Sequence, residues 1–431
     1  MIERCFRLAE NQTTTKQELL GGVTTFMTMA YIVIVNPQIL AHAGVPVEGA
    51  LFATCISAAA ATLVMGLYAN YPIALAPGMS LNAYFTYSVC LGMHVPWQTA
   101  LGVVFISGVF FLILTVTRVR EQIVNGIPDC LKHATAAGIG MFIAFVGLQN
   151  ARLVVSNPVT FVSIGSFGNA EVQMACFGLA LTLALTARKV KGAILLGIFG
   201  TMLAGILRGV AVWPSGIVSL PQPSSTWLQL DLRGASHLGL LEIAFAFLFV
   251  DLFDNVGTLL GVCEQAGFVK DGKIPRVGKA LAADAVGTIF GALTGTSTVT
   301  SYIESAAGVA AGARTGLSNI AVAVLFLAAT FFAPLATAIP AYATAPALVL
   351  VGALMTQSIA AVKWNDFSEA APAFITMLAM PLTFSIATGL SLGLICFTLV
   401  KVAAGKTRDV PLLVWVLTGL FILRYVYFGA K

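Results

Sequence analysis

Fourteen apolar stretches, most of them close to twenty residues long, follow one another along this 431-residue chain. They lie at 19–41, 48–69, 78–92, 98–117, 131–150, 172–187, 192–210, 238–263, 277–294, 299–312, 315–334, 342–362, 368–385 and 387–404. A further apolar run occupies 410–428. A helix rises 1.5 Å per residue, so about twenty apolar residues cross the hydrocarbon core of a bilayer. Within that core every backbone polar group needs an internal partner, which restricts spanning structures to helices and closed barrels. Barrel strands would appear as alternating ten-residue segments, and no such pattern occurs. The chain reads as an all-α polytopic membrane protein. Composition agrees: only 10% of residues are charged, against about 25% in a soluble domain.

Residues 1–18 form a polar segment holding Glu3, Arg4, Arg7 and Glu10. It lacks the apolar core of a signal peptide, so the first apolar stretch is itself expected to span. With the N-terminus in the cytoplasm, eighteen of the 23 Lys and Arg residues fall on the cytoplasmic side. Only Arg152, Arg208 and Arg233 fall outside, while Arg424 and Lys431 belong to the C-terminal run. This bias obeys the positive-inside rule. It also accounts for the net charge of +5 without a nucleic-acid partner. The seven cysteines are scattered with no C-x-x-C spacing, and His42, His94, His133 and His237 form no ligand cluster. Neither a disulfide framework nor a metal site is expected.

The chain repeats itself at an offset near 200 residues. Residues 127–141 (IPDCLKHATAAGIGM) and 339–355 (IPAYATAPALVLVGALM) share Ile-Pro followed by Ala-Thr-Ala. The expected organisation is a first repeat over 19–210, a connecting external loop over 211–237 and a second repeat over 238–404. The segment 405–431 follows, either spanning or lying in the interface. Seven spans per half is an odd number, so the halves have opposite topology, the arrangement of many secondary transporters. The third and tenth spans each leave room for only half a helix after an extended stretch. The first stretch is Tyr71–Gly78, followed by a helix holding Asn82; the second is Leu293–Thr298, followed by a helix holding Glu304. Pro77 suits a first helical turn, and Ser297 and Thr298 suit N-caps. Paired interrupted helices are a strong sequence pointer to a transport site.

Charge at bilayer depth is costly and functional by default. Asp251 and Asp254 lie in the eighth stretch, Glu304 in the tenth, and no Lys or Arg shares either centre. Three residues apart, the two aspartates share a helix face, which Thr258 extends. A carboxyl here accepts hydrogen bonds from a substrate or carries a coupling proton. The candidate substrate contacts are Glu304, Asp251, Asp254, Asn82, Thr298 and Phe253, with Tyr84, Phe85 and Phe247 as further rings for a planar ligand. Asp254, Glu304 and Asp251 are the candidates for proton coupling. Asp284, among small residues, reads as a packing acid, and Asn36-Pro37-Gln38 as a proline kink with polar satisfiers.

The runs GGVTTFMTMAYIVIVNPQIL (21–40), LAPGMSLNAYF (75–85), FLFVDLFDNVGTLLGV (247–262) and TSTVTSYIESAAGVAAGARTGL (296–317) together resemble the azaguanine-type purine permeases. That branch belongs to the nucleobase–cation symporter-2 or nucleobase–ascorbate transporter superfamily, which has the uracil-permease fold. The resemblance covers residues 10–405. It implies fourteen spans in two inverted halves of seven, divided into core and gate domains, often as a homodimer. It implies proton symport of adenine, guanine or hypoxanthine across the plasma (inner) membrane by alternating access, with no cofactor beyond the proton. The family's functional positions fall on Asn82, Asp251, Asp254 and Glu304; Asn255 stands where the branch more usually has Thr.

Purine chemistry fits these residues independently. A carboxylate accepts two of the base's N–H donors in charge-assisted bonds, while backbone N–H groups at half-helix starts serve its acceptors. Other readings fit less well. A same-fold carrier of uracil or xanthine shares this chemistry, but three acids would repel an anion. An intramembrane prenyltransferase-like enzyme needs a second acidic motif and cations for diphosphate, and neither is present. A passive channel has no need of titratable acids on two separate spans.

Overall fold

The computed structural model describes residues 3, 6–117, 127–214, 216–221, 225–236, 238–269 and 274–427. Arg4, Cys5, Arg118, Arg120, His237, Lys270, Lys273 and Lys431 lie outside these, as do the side chains of Phe253 and Arg424. The first apolar stretch folds as two helices, α1 (Thr15–Met29) and α2 (Ile32–His42). α1 opens with a capping box, in which Thr14 Oγ1 accepts from the Gln17 backbone while the Gln17 side chain accepts from the Thr14 N–H. α3 (Val47–Val64) continues into a π-helical turn, Met65–Ala69. A short strand β1 (Leu75–Pro77) leads into α4 (Met79–Ala83), which passes into a π-helix over Tyr84–Gly92. α5 (Trp97–Val116), α6 (Asp129–Asn150), a hairpin of β2 (Val154–Asn157) and β3 (Phe161–Ile164), α7 (Ala170–Ala187) and α8 (Ala193–Leu207) complete the first half.

The second half opens with the one-turn α9 (Leu232–Ala235), then α10 (Leu238–Gln265) and α11 (Val277–Thr294). Strand β4 (Val299–Ser301) precedes the six-residue α12 (Ser305–Ala310). There follow α13 (Leu317–Ala329), α14 (Ala333–Thr337), α15 (Ala341–Met355), α16 (Phe367–Thr383), α17 (Ile386–Ala403) and α18 (Leu412–Tyr427). Among the described residues, ten helical stretches are long and apolar enough to cross a membrane. The four remaining predicted segments correspond to the two interrupted elements, to α8 and to α16. Pro128 and Pro340, from the repeated Ile-Pro signature, each stand directly before a helix, α6 and α15, and those two helices pack together.

Helix packing sorts the chain into two groups. α1, α2, α3, α5, α10, α11 and α13 surround the interrupted elements, while α6, α7, α8, α15, α16 and α17 pack on one another. Between them runs a polar tie. The Gln38 side chain on α2 donates to the Ile339 carbonyl at 2.6 Å and accepts from Thr344 on α15 at 2.6 Å. The Asn-Pro-Gln segment therefore does more than satisfy a kink. Asn36 donates to Thr54 at 2.7 Å and to Thr296 at 2.9 Å.

Two expectations need correction at the interrupted segments. Pro77 is not in a first helical turn, and Ser297 and Thr298 do not cap a helix. Instead the extended stretches pair as an antiparallel ribbon, Leu75 opposite Ser301, Ala76 opposite Thr300 and Pro77 opposite Val299. The first helix starts after Gly78, as expected, while the second starts only after Glu304, which stands at its N-cap rather than lying inside it. The reason is backbone satisfaction: away from water, each broken segment gives the other the partners that a continuous helix would supply. Among the described residues, ribbon and hairpin are the two sheets beside the helices.

Small residues make room for the ribbon. A Cβ on Gly291 of α11 would lie 2.9 Å from both the Ser297 carbonyl oxygen and Val299 Cγ2. One turn earlier, a Cβ on Gly287 would lie 2.8 Å from Ala61 Cβ and 3.2 Å from Val299 Cγ1. Asn319 of α13 secures the approach to β1, its amide donating to the carbonyls of Ile73 at 2.8 Å and Tyr71 at 3.1 Å.

Candidate functional site

The ribbon aims two short helices at the middle of the first packing group, and α10 runs past them. Ser80, in the first turn of α4, donates to Asp254 Oδ2 of α10 at 3.0 Å. On the other interrupted segment, Glu304 occupies the N-cap position of α12 and its Oε1 accepts from the Tyr31 hydroxyl at 2.6 Å. Asp254 and Glu304 are close enough to interact electrostatically, and both lie within electrostatic reach of Tyr31 and Tyr302. Both residues are partly buried. Two acids of the second half thus belong to one polar cluster, each already held by a hydroxyl donor from the first half.

The surroundings of that cluster are tied across the ribbon. Tyr302 donates its hydroxyl to the Pro77 carbonyl at 2.6 Å, and the Tyr302 N–H meets the Ala74 carbonyl at 3.0 Å. Ser305 accepts from the Ala74 N–H at 3.0 Å. Asn82 on α4 accepts a hydrogen bond from Ser297, which fixes its amide plane. Its Nδ2 has no hydrogen-bond partner among the described residues and is fully buried. A buried amide donor without a partner costs roughly 1–3 kcal/mol, a cost that a bound acceptor would remove. Thr298 is buried with its hydroxyl likewise unsatisfied among the described residues.

The other candidates divide. Asp251 is buried one turn before Asp254, deeper in the packing of α10. Asp284 is fully buried in α11, one turn before Gly287. Tyr84, Phe85 and Phe247 are core residues: all three are buried, and Tyr84 meets Phe247 edge-on at 4.9 Å. None offers a free face to a planar ligand. The backbone of Phe253 lies in α10 between the two aspartates. Asn255, fully buried, has neither amide atom satisfied among the described residues.

Tyr31, Ser80 and Tyr302 escaped attention as individual residues. Tyr31 is the sole tyrosine in 19–41, and a hydroxyl at such depth requires a partner. Together the groups form a cluster rich in hydrogen-bond acceptors, with donors on its hydroxyls and on Asn82. That set is suited to a neutral polar ligand with N–H groups. Among the described residues no nucleophile–base pair or cationic clamp accompanies it.

Comparison with known proteins agrees with this character. The sequence model described as a permease family matches residues 16–392. A chain from Methanocaldococcus jannaschii, named only as a permease, is 55% identical over 99% of this chain and 98% of its own length. The adenine permease AdeP of Escherichia coli is 44% identical over 100% of this chain and 97% of its own. The guanine/hypoxanthine permease PbuO of Bacillus subtilis is also 44% identical, covering 97% of this chain and 99% of its own. Among solved structures, the transmembrane domain of a cyanobacterial bicarbonate transporter, BicA, superposes with a TM-score of 0.65 over 88% of this chain and 96% of that one. At 18% identity that likeness concerns the fold alone.

Proposed function

Because the chain belongs to the permease family, we propose that it is a secondary active transporter that imports purine nucleobases by proton symport. It is a membrane transporter and not an enzyme. The observation that carries the purine reading is the pairing of Asp254 and Glu304 at the crossing of two interrupted helices, each carboxyl held by a hydroxyl. A purine offers ring and exocyclic N–H donors to such acceptors and ring nitrogens to the Asn82 amide. Relatives named for adenine and for guanine/hypoxanthine, at equal identity, support the class of base without ranking its members.

In this reading Glu304 and Asp254 bind the base, Asn82 supplies a donor, Thr298 and Phe253 complete the pocket, and one carboxyl of Asp254, Glu304 or Asp251 carries the coupling proton. A carboxyl in low dielectric holds a proton more readily than one in water, so uptake and release can accompany each cycle. The two packing groups supply the rocking bodies of alternating access, with the Gln38–Thr344 tie between them. The protein sits in the plasma membrane with its N-terminus in the cytoplasm and assembles as a homodimer.

The test is uptake of radiolabelled adenine, guanine, hypoxanthine and uracil in cells lacking their own nucleobase carriers, with and without a protonophore. Purine accumulation abolished by the protonophore is expected. Failure to accumulate any nucleobase would overturn the reading, and accumulation that follows sodium instead would overturn its coupling ion.

A further inference from the structure

A second polar feature lies away from the carboxyl cluster, at one end of the first packing group. Tyr68 in the turn after α3, Thr115 and Val116 at the end of α5, and residues 274–282 at the start of α11 line a cleft of about 420 Å³. Two cations stand at its mouth, each held over an aromatic ring. The Arg276 guanidinium lies 4.5 Å from the centre of the Tyr71 ring, and Lys279 Nζ 5.1 Å from that of Tyr68. Stacking fixes a cation without consuming all its N–H donors. Among the described residues neither cation forms an ion pair.

The less exposed part of the same lining, its floor, is apolar: Ile274, Val277 and Leu281. Large apolar groups are exposed around it, with Leu67 at 60% and Val116 at 75% of their surface. At the end of three spanning elements, that exposure belongs at the boundary between headgroups and acyl chains. A soluble anion would use the cations and leave the apolar floor wet, whereas a phospholipid uses both.

We propose that this cleft binds the phosphate headgroup of an anionic phospholipid, with Arg276 and Lys279 on the phosphate and the start of an acyl chain on the apolar floor. Basic pockets between helices at the headgroup level are a recurrent means of lipid recognition. The site sits on the same group of helices as the interrupted segments, so an occupied cleft would brace α11, against which β4 rests. The proposal does not depend on the transported substrate.

Native mass spectrometry of the detergent-purified full chain, titrated with phosphatidylglycerol or phosphatidylcholine, tests it. Preferential retention of one phosphatidylglycerol is expected. The R276Q/K279Q variant should weaken that retention on the order of thirtyfold, taking about fivefold for each juxtamembrane cation. The single variant K279Q should fall between, which keeps the test open if the double variant does not fold. Equal retention of the two lipids by the wild-type chain would overturn the proposal, as would unchanged retention in K279Q. Displacement of the lipid by millimolar inorganic phosphate would reassign the cleft to a free anion and also overturn it.

Discussion

Replacing Tyr31 by phenylalanine isolates one hydrogen bond at the centre of the proposed site. The ring fills the same volume in a buried position, so packing of α1 and α2 is retained while the donor to Glu304 Oε1, 2.6 Å away, is lost. A net hydrogen bond to a charged group is worth about 1.5–3 kcal/mol. With tenfold per 1.4 kcal/mol, that corresponds to roughly 10- to 150-fold in affinity if Glu304 must be held in place to receive the base. The expected outcome is a rise of that size in the KM for purine uptake, with unchanged membrane yield and unchanged elution on gel filtration. Concentration-dependent uptake into proteoliposomes gives the number directly. An unaltered KM would mean that Tyr31 does not orient Glu304 for substrate. A lower KM would mean that the hydroxyl competes with the base for the carboxylate, refuting the reasoning in its sign.

Other perturbations separate binding groups from scaffold. Ser80→Ala removes the donor to Asp254 and should raise the KM about 10-fold or less, while Asp254→Asn should abolish concentrative uptake; uphill accumulation in the asparagine variant would remove Asp254 from the mechanism. Ser297→Ala releases the Asn82 amide and should weaken purine binding with little change in Tm, a ligand-binding assay being the check. Gly291→Ala places a Cβ 2.9 Å from the Ser297 carbonyl oxygen and should cost about 1–3 kcal/mol through overpacking, read as a lower Tm in detergent. Asn319→Ala strands the Tyr71 and Ile73 carbonyls and should lower Tm by a similar mechanism, at about 1–3 kcal/mol; an unchanged Tm would place the ribbon's support elsewhere.

The helical elements were legible because each requires about twenty apolar residues in succession, and that signal is local. The two interruptions were legible too, through Pro77-Gly78 and the Thr-Ser-Thr run at 296–298. Their geometry was not. Strand pairing between residues 75–77 and 299–301 is a contact across more than two hundred residues, and nothing in either triplet names its partner. For that reason Ser297 and Thr298 looked like caps, although the helix starts only after Glu304. The carboxylates stood out because charge is conspicuous among apolar residues. Their donors, Tyr31 and Ser80, did not, since isolated hydroxyls are common in apolar helices and gain meaning only from what they face. The aromatics were ambiguous in sequence, since a ring suits a ligand or a core equally; Tyr84 and Phe247 pack edge-on against each other.

The central claim is that the paired carboxyls Asp254 and Glu304, held by hydroxyls of the first half, read the purine. It is tested most directly by equilibrium binding of radiolabelled hypoxanthine and adenine to purified wild-type chain and to Glu304→Gln, both shown folded by gel filtration and thermal unfolding. The wild-type chain should bind at least one of the two bases saturably, and the glutamine variant should lose that binding with its fold intact. Full binding retained by Glu304→Gln would contradict the account and move the site away from the crossing of the interrupted helices.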